Sequence, residues 1–213
     1  MDSSFVRERS GHDPAAIAAR EAEITGKPQR VEALPVEELS ADGWALINRI
    51  RASIGLGEAT EFPGYTLTMI KHPELFRLQL ELGTAIFQGK VPARERELAV
   101  LRIGWLLRAP YEWGEHVDIG KRYGVTAEEI ERVIEGPDAP GWTEHEAAIL
   151  RAVDELLSNQ TICDATWDVL ARSWGEQALI EFPMMVGQYV CTALVQNSLR
   201  IRLERDNPGL TYR

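Results

Sequence analysis

Glu97, Glu112 and His116 are the residues of this 213-residue chain whose types and spacing could do acid/base chemistry. At about 100° per residue a helix places Glu112, His116, Ile119 and Tyr123 on one stripe, so the second carboxylate and the imidazole are neighbours one turn apart. Glu97, Leu101, Gly104 and Arg108 share a stripe in the same way, and Gly104 has no side chain to fill the space beside the first carboxylate. Two carboxylates and an imidazole that converge where two helices meet can hold and transfer protons.

The element that must position them is the stretch from Val91 to Val125. Ala109-Pro110 breaks it into two helices, because proline lacks the helical N–H and pushes the preceding residue out of the α region. Pro110 can then open the second helix at its first position. Leu98, Val100, Leu101, Ile103, Trp105, Leu106 and Leu107 leave the first helix almost no polar face, the pattern of a helix buried on most sides, interrupted by Glu97 and Arg102. Plainer readings exist for the same residues. Glu97 near a helix start can simply complement the macrodipole, and an exposed Glu112–His116 pair would contribute only about 0.2–0.5 kcal/mol.

The run RERELAVLRIGWLLRAPYEWGEHVDIGKRYGVTAEEIERV resembles the carboxymuconolactone decarboxylase family, which also contains the alkylhydroperoxidase D-like proteins. The RE-L--LR, YEW--H and G-V-T-EEI segments carry the resemblance, which extends more loosely from about Val31 to Glu204. It implies an all-α fold, an alkylhydroperoxidase D-like helical bundle, assembled as a homo-oligomer, with the family's glutamate and histidine falling on Glu97 and His116. In the peroxidase branch a Cys-x-x-Cys pair precedes the histidine. Here the corresponding positions are Ala109 and Glu112, which resembles the cysteine-less lactone decarboxylase branch and implies proton transfer at carbon.

The rest of the chain fits a single all-helical domain over residues 31–213, preceded by a partly ordered N-terminal arm over residues 1–30. Asp13-Pro14 can start a short helix in the arm, which Gly26 and Pro28 end. Pro35 is expected to open a helix through Trp44, Ile47, Ile50 and Ile54; Gly55 to Gly64 reads as a loop, and Pro73 starts the next helix. Thr126-Ala-Glu-Glu129 and Thr143-Glu-His-Glu146 are capping boxes, and the last long helix runs from about Glu176 to Leu203 with Pro183 as a kink point. No segment alternates at period two, so strands are not expected.

A net charge of −10 argues against phosphate-backbone binding, which needs clustered Lys and Arg. No stretch reaches 18 uninterrupted apolar residues and the N-terminus has no apolar signal core, so no membrane contact and a cytoplasmic location are expected. Cys163 and Cys191 lie far apart inside apolar helical patterns and read as buried free thiols. His12 reads as solvated, His72 sits at a helix junction, and His145 lies in an exposed first turn. No metal motif and no nucleotide-binding loop is present, and no cofactor is expected.

The implied chemistry is a cofactor-free lyase, decarboxylase or isomerase reaction on a small lactone or unsaturated carboxylic acid. Loss of CO2 leaves electrons in a conjugated enolate, which must be stabilised and given a proton. A carboxyl on an apolar helix tends to keep its proton, so Glu97 is the expected acid, with His116 acting on the oxyanion and Glu112 orienting the ring. Tyr111, Trp113, Arg108 and Tyr189 are the expected substrate contacts. Two alternatives stay open: a peroxidase-like protein, which would need Cys163 or Cys191 beside His116, and a non-catalytic oligomeric ligand-binding member. The near-continuous apolar surface of Leu98 to Leu107, together with the tryptophans and the long C-terminal helix, supports self-association, with dimers and trimer-based states both open; Gly187, Gln188, Tyr189, Thr192, Gln196 and Asn197 of that helix fit a pocket lining and an inter-subunit seam equally.

Overall fold

The computed structural model describes residues 4–53, 57, 59 and 61–213, without the side chains of Ile50 and Ser53. Met1 to Ser3, Ile54 and, in the loop expected from Gly55, Gly55, Leu56, Glu58 and Thr60 lie outside the described residues. Eleven α-helices are formed among the described residues: α1 (Ser4–Arg9), α2 (Pro14–Ile24), α3 (Ala41–Ser53), α4 (Gly64–Met69), α5 (Pro73–Phe87), α6 (Ala93–Leu106), α7 (Pro110–Arg122), α8 (Ala127–Glu135), α9 (Glu144–Asn159), α10 (Asp164–Ala171) and α11 (Glu176–Leu199), with no strand.

α6 is the axis of the fold because it has no polar face to leave in water. Every residue from Arg96 to Leu106 is buried, and the helix touches α7, α8, α9 and α11. One side, with Ala99, Ile103 and Leu106, packs on Ile149 and Val153 of α9 and on Phe182 and Met185 of α11. The other side, with Leu98, Leu101 and Trp105, packs on Trp113 and Val117 of α7 and on Ile130 and Val133 of α8. A third, smaller core joins α3, α4 and α5 through Leu46, Ile47, Leu67 and Phe76.

The turn between α6 and α7 follows the break expected at Ala109-Pro110. Arg108 takes a left-handed φ of 49°, Ala109 is extended, and Pro110 occupies the first helical turn of α7. Gly104 faces this hairpin rather than Glu97: a Cβ there would lie 3.5 Å from the backbone N and Cα of Trp113, an ordinary van der Waals contact.

Arg102, the other ionisable group inside α6, is a staple. Its guanidinium donates to both oxygens of Asp154 at 2.7 and 2.9 Å, to the carbonyls of Val133 and Ile134 at 2.8 and 3.0 Å, and to Ser10 Oγ at 2.7 Å. One side chain thus ties α6 to α8, to α9 and to the N-terminal segment. That segment is packed on the body: α1 lays Phe5 and Val6 on the core, and α2, capped by Asp13, buries Ile17 and Ile24.

Local signals hold elsewhere with small shifts. Both capping boxes form, at Thr126 and Thr143, and Gly124 takes a φ of +84° after α7. Pro35 opens only a 3-10 turn over Val36–Glu38, and α3 starts at Ala41, where Ser40 Oγ accepts from Gly43 N at 3.1 Å. α11 stops at Leu199 because Arg200 adopts a left-handed φ of 54°. By length and composition, with a mean hydropathy of 1.5, α11 could cross a membrane. In this fold one of its faces is covered by α5, α6, α7 and α9.

Candidate active site

Glu97 and His116 meet across the α6–α7 interface, and Glu112 reaches the far side of the same ring. His116 Nδ1 lies 2.7 Å from Glu97 Oε2, and His116 Nε2 lies 3.4 Å from Glu112 Oε1. Glu97 is fully buried and Glu112 nearly so, while His116 is 8 % exposed, the largest opening of the three. The edge of the Tyr189 ring from α11 stands 5.1 Å from the imidazole.

The two carboxylates differ because their other neighbours differ. Burial alone would raise the Glu97 pKa, but His116 and then Arg96, whose Nε donates to Glu97 Oε1 at 2.9 Å, outweigh it and hold Glu97 below the usual carboxylate range. Glu112 has no guanidinium. Burial pushes its pKa up, and His116 together with a hydrogen bond from Gln196 offsets only part of that rise. His116 is pulled down by burial but raised further by Glu97 and then Glu112, so it holds its proton above the ordinary imidazole value. These directions favour an ionised Glu97 and a protonated His116 and bias Glu112 toward its neutral acid, whereas from the sequence burial on an apolar helix is expected to raise Glu97.

Neither Arg96 nor Gln196 is among the site residues expected from the sequence. Adjacent residues on a helix do not face each other, so a contact between Arg96 and Glu97 requires the long side chain to curl back along α6. It does so over the Phe87 ring, with Cζ 4.4 Å from the centroid, while Nη1 donates to Phe87 O at 3.1 Å. The available signal was the run of four alternating charges, Arg94 to Glu97, at the head of a buried helix. Arg96 Nη2 and Gln196 Oε1 are buried and meet no hydrogen-bond partner among the described residues.

Of the expected substrate contacts, Tyr189 is at the cluster and Tyr111 is beside it. Tyr111 donates its hydroxyl to Glu204 at 3.1 Å, and its ring lies 6.1 Å from that of Tyr65. Trp113 points the other way. A step of 100° from Glu112 turns it into the core, where it packs 5.0 Å from Trp105 and donates to Tyr212 O at 3.0 Å. Arg108 is also away from the site: Nη2 donates to Arg9 O at 3.1 Å, and its guanidinium lies 4.7 Å over Trp105.

A cavity of about 210 Å³ between α5 and α11 is lined by Tyr65, Phe76, Leu80, Phe87, Gln188 and Thr192. Its lining residue Phe87 stacks under the Arg96 guanidinium, and Glu97, Glu112 and His116 are not among its lining residues. Gln79 Nε2 bridges Tyr65 Oη and Thr192 Oγ1 at 2.8 and 3.2 Å.

The remaining histidines lie elsewhere. His72 Nδ1 caps α5 by accepting from Leu75 N at 3.3 Å, His12 stacks at 6.4 Å on Trp105, and His145 Nε2 meets Glu95 at 3.2 Å. Both cysteines are exposed, contrary to the expectation of buried thiols. Cys163 sits before α10 with its Sγ 3.1 Å from Glu155 Oε1, and Cys191 lies on the open face of α11. Among the described residues no group of three or more His, Cys, Asp or Glu side chains is arranged to hold a metal ion.

Residues 73–155, from the start of α5 into α9, match the model of the carboxymuconolactone decarboxylase family. Over this stretch the chain is similar to the carboxymuconolactone decarboxylase family. Glu97, Glu112 and His116 all fall inside the family segment. No curated protein matches the chain. Solved structures share the fold: the apo debrominase Bmp8 aligns with a TM-score of 0.67 at 18% identity, over 83% of this chain and 93% of that one. An alkylhydroperoxidase AhpD core protein, described as peroxidase-related, from Ralstonia eutropha JMP134 aligns at 0.60 and 16% identity, over 84% and 95%. A putative antioxidant defence protein AhpD from Agrobacterium tumefaciens aligns at 0.58 and 18%, over 63% and 94%. At these identities the likeness establishes the all-α, AhpD-like fold.

Proposed function

We propose that this protein is a cofactor-free acid/base enzyme acting on a small lactone or unsaturated carboxylic acid, by decarboxylation or by proton relocation. The observation that carries the proposal is the imidazole held between two buried carboxyls of opposite bias. With Glu97 ionised, Glu112 neutral and Arg96 and His116 both cationic, the site carries a net positive charge and suits an anionic substrate. In the decarboxylating case the bond to the substrate's carboxylate breaks, CO2 leaves, and the bonding pair enters a conjugated enolate. His116 Nε2–H donates a hydrogen bond to the oxyanion, and Glu112 delivers its proton to carbon and recovers one from solvent. Direct assay of CO2 release, with an enoate isomerisation assay alongside, tests this reading; catalysis of neither by the folded protein, across lactones and enoic acids that fit the cavity, refutes it.

The pH profile has a definite sign. Both working protons sit on groups whose pKa is raised, so activity falls as pH rises through the elevated values of His116 and Glu112. Glu97 is lowered, so its ionised form survives well into the acid range and the acid limb lies below the ordinary carboxylate value. A profile in which kcat/KM climbs steadily above pH 8 would require a deprotonated His116 instead.

Thiol chemistry finds no support in the placement of the cysteines, one at the head of α10 and one on the open face of α11. The Cys163→Ala, Cys191→Ala double variant is expected to retain the parent's turnover. A folded double variant without activity would return the peroxidase reading.

A further inference from the structure

Self-association is expected from the apolar run of α6 together with the tryptophans and the C-terminal helix, and the α6 part of that surface is covered within one copy: Leu98, Leu101, Ile103, Trp105 and Leu106 are all at 0 % exposure. Uncovered apolar side chains lie on α5, where Leu75 and Leu78 are 54 and 53 % exposed, and along α11. On α11, Ile180, Met184 and Leu194 are 65, 55 and 53 % exposed, and a contiguous apolar face of this kind marks an interaction surface. With Gly187, Cys191 and Ser198, all exposed, they form one line down the helix.

We infer that this face of α11 is a two-fold, antiparallel interface with α11 of a second copy of the chain, centred on position 189. Three features carry the inference. First, the line Ile180, Met184, Gly187, Cys191, Leu194, Ser198 has intervals of 4, 3, 4, 3 and 4 residues, the alternation that keeps a seam facing another helix. Second, these intervals read the same from either end, so an antiparallel copy brings every seam residue opposite another: Ile180 meets Ser198, Met184 meets Leu194, and Gly187 meets Cys191. Such self-complementarity is what a closed two-fold contact requires. The smallest pair falls nearest the centre, where helix axes come closest, and a Cβ built on Gly187 would meet nothing within 4 Å in the single copy.

Third, the ends match in charge. At the C-terminal end the face runs into a recess of about 290 Å³ lined by Arg9, Arg20, Arg30 and Arg200 together with Leu194 and Ser198, with Glu23 as its one carboxylate. This is a basic patch on a chain of net charge −10. The same centre carries the exposed Glu176, in the first turn of α11, to the Arg200–Arg202 end of the second copy. The inner side of the helix presents Tyr189 and Gln196 to His116 and Glu112, so the contact also fixes the helix that closes the site.

The test is a charge-pair experiment read by light scattering, with circular dichroism to verify folding. The parent is expected at an even multiple of the 23.9 kDa chain mass, and Met184→Glu and Leu194→Lys should each halve that mass. The double variant should restore it, because in the antiparallel register each Glu faces a Lys. In a parallel seam each charge would face its own copy, so a double variant that stays dissociated overturns the proposal. A second measurement is independent of those variants. In a Cys163→Ser background, Gly187→Cys should form an interchain disulfide to Cys191, which needs Cα atoms about 4.4–6.8 Å apart. A 191–191 link, or none, overturns the register. A parent that is monomeric at micromolar concentration, whether or not it binds phosphatidylglycerol vesicles, overturns the interface, and vesicle binding would assign the face to lipid.

Discussion

His116→Ala is expected to lower turnover by roughly 10²–10⁴-fold, the scale of a lost acid/base group. The ring contacts both carboxyls, at 2.7 Å to Glu97 and 3.4 Å to Glu112, so its removal takes away the group that links them. Glu112→Gln is expected to cost about as much, roughly 10²-fold or more, because the amide keeps the shape and the Gln196 contact but has no proton to give. Glu97→Gln acts differently. It leaves Glu112 in place but removes the charge that holds the proton on His116, so the alkaline limb of the pH profile should move toward the ordinary imidazole value while part of the rate survives. Thermal midpoints measured alongside separate these effects from folding, since Glu97 also neutralises the buried Arg96. If folded variants of His116 and Glu112 turn over at the parent rate, the cluster is not the reacting centre.

The pairing of these residues was legible because it rests on local rules. A proline break fixes a short helical hairpin, and one-turn spacing fixes which side of α7 faces α6. Which carboxyl keeps its proton was not legible, because that depends on neighbours that periodicity does not reveal. Arg96 reaches Glu97 only by folding back over Phe87, and Gln196 reaches Glu112 from a helix that begins 64 residues after Glu112. Trp113 and Arg108 were misplaced for a simpler reason: closeness in sequence was taken for closeness in space. One residue turns a helical side chain by 100°, and α6 has already ended when Arg108 turns left-handed toward the N-terminal segment.

The same limit explains the cysteines and the oligomer argument. An apolar stripe reads as buried whether its cover comes from the same chain or from another. α6 and α11 look alike by that measure, yet the first is enclosed in a single copy and the second leaves Ile180, Met184, Cys191 and Leu194 in the open. Hydrophobic patterning therefore identified the helices and their periodicity, while the division between interior and interface needed the packed fold.

The largest stability effect is expected at Asp154. Asp154→Ala should lower unfolding free energy by about 3–5 kcal/mol, the cost of leaving a buried charge without its counter-ion. Arg102 cannot reach water, being fully buried, and Val133 O, Ile134 O and Ser10 Oγ accept its hydrogen bonds without neutralising it. The converse variant, Arg102→Met, should behave differently with pH. Burial already raises the Asp154 pKa against the pull of Arg102, so without the guanidinium the carboxyl takes up a proton in the folded state more readily still. A folded-state pKa above the unfolded one means that folding binds protons, so the deficit of Arg102→Met is full at neutral pH and shrinks as pH falls through the raised value. Urea unfolding at pH 7 and pH 5 distinguishes the two variants. Asp154→Ala should keep its deficit at both pH values because no carboxyl remains beside Arg102 to take up a proton, and equal pH dependence in the two variants would remove the ion pair as the origin of the effect.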